Sequence, residues 1–210
     1  MAANEEALDS LKRAMDITSC ARFQANLRLS ARERQSSYVI SLLSTFVILL
    51  SLIPNVTEVS TKQSQTLLAC SIVVSVFIIF TSLLETTGNF HHRAELLHQS
   101  ARGIVAVLND VRLLSPHDPN FPAELIRLRQ AYRDTLEACP FNHERVDYVY
   151  ARVERPDLFP QFYADKGFIY ALQRLGDHFS YLFRLHGWLL PHVLVVAATV
   201  YVVKMYVFPG

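Results

Sequence analysis

The sequence predicts an all-α integral membrane protein: a transmembrane helical hairpin extended by long cytoplasmic helices, with a third transmembrane helix at its C-terminal end. Three observations carry that expectation. The chain has 210 residues, 51% of them hydrophobic and 19% charged, whereas an ordinary soluble domain is roughly 25% charged. The apolar residues are gathered into long runs without charge, residues 35–57 and 63–84. Elsewhere the apolar positions recur at three- and four-residue spacing, the period of a helix, and no alternation is long enough for a strand.

The first element covers residues 8–34. Leu8, Leu11, Met15, Thr18, Ala25 and Leu29 fall on one stripe, with Arg22 interrupting it. The chain then enters the first charge-free run, with a predicted span at residues 38–54, and after a short loop the second, with a span at 66–84. A helix rises ~1.5 Å per residue, so about 20 residues cross a ~30 Å hydrocarbon core. A soluble helix of such length would carry a polar face, which these runs lack. Because the residues before the first run are polar and charged, that run reads as a retained anchor rather than a cleaved leader.

After the second span, Phe90, Ala94, Leu97, Ala101, Ile104, Leu108 and Val111 repeat at alternating spacings of 4 and 3. This is a heptad seam, made mainly by Phe90, Leu97, Ile104, Leu108 and Val111. Two readings are open: the seam closes the hairpin within one chain, or it joins neighbouring subunits. The helices flanking the two spans are similar in length and each continues directly into its span, so the hairpin would extend roughly 40 Å beyond the membrane at 1.5 Å per residue. Ser115, Pro116, Asp118 and Pro119 stop the seam helix. Residues 122–138 form a further amphipathic helix with Leu125, Leu128, Tyr132 and Leu136 on its stripe, and 142–154 a short one. From Tyr163 helical spacing resumes through Phe168, Leu172, Leu175, Phe179 and Leu182.

The last run, residues 188–208, contains Pro191, His192 and Lys204. Trp188, Tyr201 and Tyr206 suit membrane interfaces, and Lys204 is close enough to the end to snorkel. Its rival is a terminal helix packed on the soluble part. The expected organisation is a cytoplasmic N-terminal helix (1–37), a transmembrane hairpin (38–84), a cytoplasmic helical domain (85–187) and a third span (188–208). Lys12, Arg13, Arg22, Arg28, Arg32 and Arg34 precede the first span, whereas the loop 55–65 holds only Lys62. The positive-inside rule then places the N-terminus and residues 85–187 in the cytoplasm and the short loop outside. Asn55-Val56-Thr57 spells a glycosylation sequon beside the membrane, by chance on this reading.

Several function classes are excluded. Lys plus Arg number 20 and Asp plus Glu 19, so the chain lacks the basic excess of a nucleic-acid binder, and no direct nucleic-acid binding is expected. Cys20, Cys70 and Cys139 match neither a disulfide framework nor a zinc pattern, and no phosphate-binding or hydrolase motif is present. The nearest approach to a metal site is His91, Glu95 and His98 on one helical face. One helix rarely converges three ligands, and the plainer expectation is that Glu95 pairs with a histidine or Arg102. An enzyme using these residues with His143 is disfavoured; no enzyme activity, cofactor or metal is expected.

What remains is packing and assembly. Ser41, Ser44 and Ser51 in the first span and Ser71, Ser75 and Ser82 in the second form hydroxyl stripes. Such stripes allow close helix approach in lipid, or line a pore if several chains assemble. The N-terminal arginines, Arg22 and Arg28 among them, suit either a phosphate-bearing ligand or anionic lipid headgroups.

The run Ala21-Arg22-Phe23-Gln24-Ala25-Asn26-Leu27-Arg28-Leu29, followed by a two-span hairpin with a short loop, resembles the start of the SLATT superfamily. Asn142-His143 and Asp147-Tyr148 are similar to a segment that follows the hairpin in several of its subfamilies. The resemblance covers residues 15–150; a third span departs from the simplest form. It implies a bacterial inner-membrane effector of antiphage defence that oligomerises and permeabilises the membrane, causing abortive infection. It also implies a trigger from a cyclic-oligonucleotide synthase or reverse transcriptase encoded nearby. Arg22, Arg28, Asn142, His143, Asp147 and Tyr148 are then candidate partner or ligand contacts. The alternative is a membrane-anchored scaffold that docks such an enzyme.

Overall fold

The computed structural model describes residues 2–159 and 167–207, and among these every regular element is helical. In chain order they are α1 (Ala2–Val56), α2 (Thr61–Gly88), α3 (Phe90–Leu113), α4 (Phe121–Glu137), α5 (Arg145–Glu154), α6 (Phe168–His186) and α7 (Leu190–Tyr206). Short 3-10 turns occupy Pro156–Leu158 and Gly187–Leu189. The predicted resumption of helix at Tyr163 lies outside the described residues, as does Phe208 at the end of the last run. The chain divides into two compact units, residues 1–30 with 91–184, and residues 31–90 with 185–210.

The first unit is built on the stripe of α1. Leu8, Leu11 and Met15 pack with Ile104, Leu108 and Val111 of α3 and with Phe121, Leu125 and Leu128 of α4 in one buried core. The heptad seam of α3 thus faces partners within its own chain: Leu97, Ile104, Leu108 and Val111 are buried, and Phe90 is half-buried. α3 ends at Leu113, just before the Ser-Pro turn. α4 begins with proline in its first turn, where a missing N–H costs nothing. Gly103 marks the closest approach of α3 and α4, since a Cβ there would lie 2.9 Å from Thr135 Cγ2.

The second unit holds the apolar runs. The N-terminal helix continues directly into the first span, as the sequence predicts, in one helix, α1, of 55 residues with Pro54 inside its last turn. α2 starts with a capping box, Gln63 Oε1 accepting from the Ser60 N–H at 2.7 Å and Ser60 Oγ accepting from the Gln63 N–H. It ends at Asn89, whose φ of 47° is left-handed. The expected direct continuation of the second span into the seam helix is therefore broken at one residue. Asparagine tolerates this conformation better than other side chains because its amide bonds locally.

Leu50, Leu67 and Val207 form a buried cluster with Phe46, Ile53, Cys70 and Val203 packed against it. Gln63 also donates to the Val207 carbonyl at 2.7 Å, tying the end of α7 to the start of α2. Pro191 sits in the first turn of α7, so it does not break the helix. Among the described residues, three helices are long and apolar enough to cross a membrane.

Candidate functional site

Of the residues singled out in the sequence, Arg28, Asn142, His143, Asp147 and Tyr148 gather in the first unit around the start of α5. Asp147 is fully buried and serves two purposes. Its Oδ2 accepts from the Glu144 N–H at 2.9 Å, closing the first turn of α5. Its two oxygens also receive Arg28 of α1 in a bidentate pair, Nε–Oδ1 at 2.7 Å and Nη2–Oδ2 at 3.0 Å. Glu144 adds a second carboxylate at 3.0 Å from Arg28 Nη2. Burial disfavours the Arg28 charge, but the hydrogen bonds and charges of Asp147 and Glu144 outweigh it and raise its pKa above the ordinary value. The geometry is a planar fork on a planar acceptor, the strongest form of ion pair.

The remaining members of the Asn-His and Asp-Tyr pairs are also occupied. Asn142 Oδ1 accepts from the His143 N–H at 2.9 Å. Tyr148 packs edge-on against the buried Phe159, ring centroids 5.3 Å apart. His143 is half-buried, and its Nδ1 has no hydrogen-bond partner among the described residues. Burial lowers its pKa below the ordinary 6.5; Asp147 opposes the shift and Arg22 adds to it.

Arg22 does not interrupt the α1 stripe; it is buried within it. It donates to the Ser100 hydroxyl, which in turn donates to the Thr135 carbonyl. Burial lowers the Arg22 pKa, with Cys139 and Tyr132 acting in the opposite direction. Ser100 also lines an open cleft of about 380 Å³ between α3 and α4, with Leu96, Gln99, Asp134, Thr135, Ala138 and Cys139. Gln24, which the sequence reading passed over, donates to Glu154 at the other end of α5. Arg28 and Gln24 therefore fix α5 to α1 at both ends of the short helix.

The other candidates are dispersed. Glu95 accepts from Gln99 at 2.8 Å, not from a histidine or Arg102 as expected, because the amide four residues on is within reach on the same face. His98 packs edge-on to Phe23 at 5.6 Å. Among the described residues, no three His, Cys, Asp or Glu side chains are placed to hold a metal ion. In the second unit Ser41, Ser44, Ser51, Ser71 and Ser75 each donate to a carbonyl of their own helix. Ser71 is buried with Leu67, Val74 and Thr81 on the inner face of α2; Ser44, Ser75 and Ser82 are half-buried, and Ser41 and Ser51 exposed.

The second unit has a polar cluster that sequence reading missed. Arg32 pairs with Glu85, its guanidinium lying 3.8 Å from the Trp188 ring centroid and 5.3 Å from that of Phe90. Trp188 donates to Gln35 at 3.3 Å. A signal for it was present: Arg32 and Glu85 lie equally far from the turn between the spans, as do Leu50 and Leu67.

Comparison with known protein families matches residues 4–202 to the SMODS and SLOG-associating 2TM effector domain family 5. No curated protein and no solved structure matches the chain. Nearly the whole chain is covered, both units included, and it belongs to family 5 of the SMODS- and SLOG-associating 2TM effector domains.

Proposed function

We propose that the chain is a membrane effector of bacterial antiphage defence, which oligomerises and permeabilises the inner membrane when a nucleotide signal or partner protein triggers it. The observation that carries this reading is the second unit. It gathers helices of membrane-spanning length whose outer residues, such as Leu42, Ile48, Val76, Phe80, Val193 and Leu194, are apolar and uncovered. Family membership as an effector supports the same reading. The first unit joins an apolar core to buried polar contacts such as Arg28 with Asp147, which suits a domain that responds to a partner. The trigger has only to favour one of two arrangements of the spans, by its differential affinity for them.

The test is membrane potential with propidium uptake in bacteria after induced expression, alone and with the genomic neighbour. Depolarisation that requires the neighbour is expected, and dye entry separates a large lesion from an ion leak. No change under either condition overturns the reading in favour of an anchored scaffold that docks an enzyme.

A further inference from the structure

α6 uses one side to join the first unit. Asp177 pairs with Arg152 of α5, and the buried Tyr181 stacks on Tyr150 with centroids 3.8 Å apart and planes 11° from parallel. Burial, with Tyr150 adding, pushes the Tyr181 hydroxyl up to about 12, so this contact stays neutral. The opposite side has no cover among the described residues. Phe168, Leu172, Leu175, Phe179, Leu182 and Phe183 are 82, 60, 66, 69, 39 and 58% exposed. At about 100° per residue they fall within one arc of roughly a third of the circumference.

Taking ~200 Å² per side chain, they expose roughly 700 Å² of apolar surface. The largest apolar patch of a typical monomer is about 300–600 Å². A partner in a standard interface contributes about 800 Å².

We infer that this face docks a second copy of the chain, α6 against α6. The inference deepens the proposed function, and rests on its premise that copies assemble, by naming the surface. Phe168, Leu172, Leu175, Phe179 and Leu182 follow one another at 4, 3, 4 and 3 residues, the spacing of knobs and holes between paired helices. Identical faces pair about a two-fold axis, so the same residues of the two copies meet at the middle of the arc, near Leu175. Gly176 adds an independent observation. Within a helix glycine costs about 1 kcal/mol relative to alanine, and a Cβ here would meet nothing within 4 Å in the chain itself. It lies at the rim of the apolar arc, where a bare backbone lets a second helix approach closely.

The test uses the full chain in isolated membranes. Leu175→Cys, at the middle of the arc, should give a disulfide-linked dimer on mild oxidation, and Leu172→Cys as well where the two helices run parallel, while Ser180→Cys, off the apolar arc, and the unaltered chain should not. Adding Phe179→Asp to Leu175→Cys should lower the dimer yield at least tenfold with membrane insertion unchanged. Absence of dimer from both seam cysteines overturns the inference. So does quenching of a fluorophore on the introduced Cys at 175 by brominated lipid, which would place this face on the bilayer. Dimers without depolarisation uphold the interface and remove the proposed function; depolarisation without dimers removes the interface alone.

Discussion

Arg28 and Asp147 show how a buried charge is tolerated. Asp147 has no access to water, and its carboxylate accepts three N–H groups, two from Arg28 and one from Glu144. Removing the arginine leaves the anion buried and half-satisfied. Arg28→Ala should therefore cost about 3–5 kcal/mol in unfolding free energy, measured by denaturation in detergent. Arg28→Met combined with Asp147→Asn should cost less than the sum of the two single changes, because no charge is stranded. A second expectation concerns His143, whose pKa is below 6.5 in the fold because burial disfavours its charged form. Between 6.5 and that lower value the unfolded chain binds a proton that the folded chain does not. Stability should thus fall as pH drops through this window, and the melting temperature of His143→Gln should fall less steeply there. Equal slopes in the two proteins would show that other groups control the response.

At the scale of elements, the close approach of α3 and α4 at Gly103 sets two effects against each other. Alanine in place of a helical glycine gains about 1 kcal/mol. The added methyl would sit 2.9 Å from Thr135 Cγ2, and such overpacking costs about 1–3 kcal/mol. Gly103→Ala alone should be neutral to destabilising, whereas in a Thr135→Ala background it should stabilise by about 1 kcal/mol in thermal melts. The helices themselves were legible, since Ile104, Leu108 and Val111 follow a period that only a helix buries on one side. The break at Asn89 was not, because a single left-handed residue leaves the apolar period on either side intact. Nor was the role of Arg22. A cation on an apolar stripe reads as an interruption until the facing helix supplies Ser100.

For the whole molecule, the sequence shows where lipid is required but not which hydroxyls meet which neighbour. Ser71 and Ser75 donate to their own backbone, so they need no partner helix to be satisfied in an apolar medium. If the stripe they form with Ser82 also lines a conducting path, Ser71→Ala, Ser75→Ala and Ser82→Ala together should leave insertion intact and reduce depolarisation. Full depolarisation in that variant would confine the hydroxyls to packing. The site residues divide in a similar way. Arg28, Asp147 and Tyr148 stood out through the family resemblance, in two segments on either side of the hairpin, and the fold explains their company by the fixing of α5 to α1. The Arg32, Glu85 and Trp188 cluster escaped because it joins residues from three distant stretches of chain.

That cluster has a consequence for biosynthesis. Arg32 and Glu85 are 53 residues apart, but Trp188 reaches Gln35 across 153. At about 5–20 residues per second, the ribosome needs roughly 5–20 s to make the intervening hundred residues. During that interval the first two helices of the second unit must hold their place without α7, with the indole-binding side of Arg32 still bare. Docking of α7 is therefore a later step than the pairing of Arg32 with Glu85, and a nascent chain halted before Trp188 would present the hairpin in its two-span form.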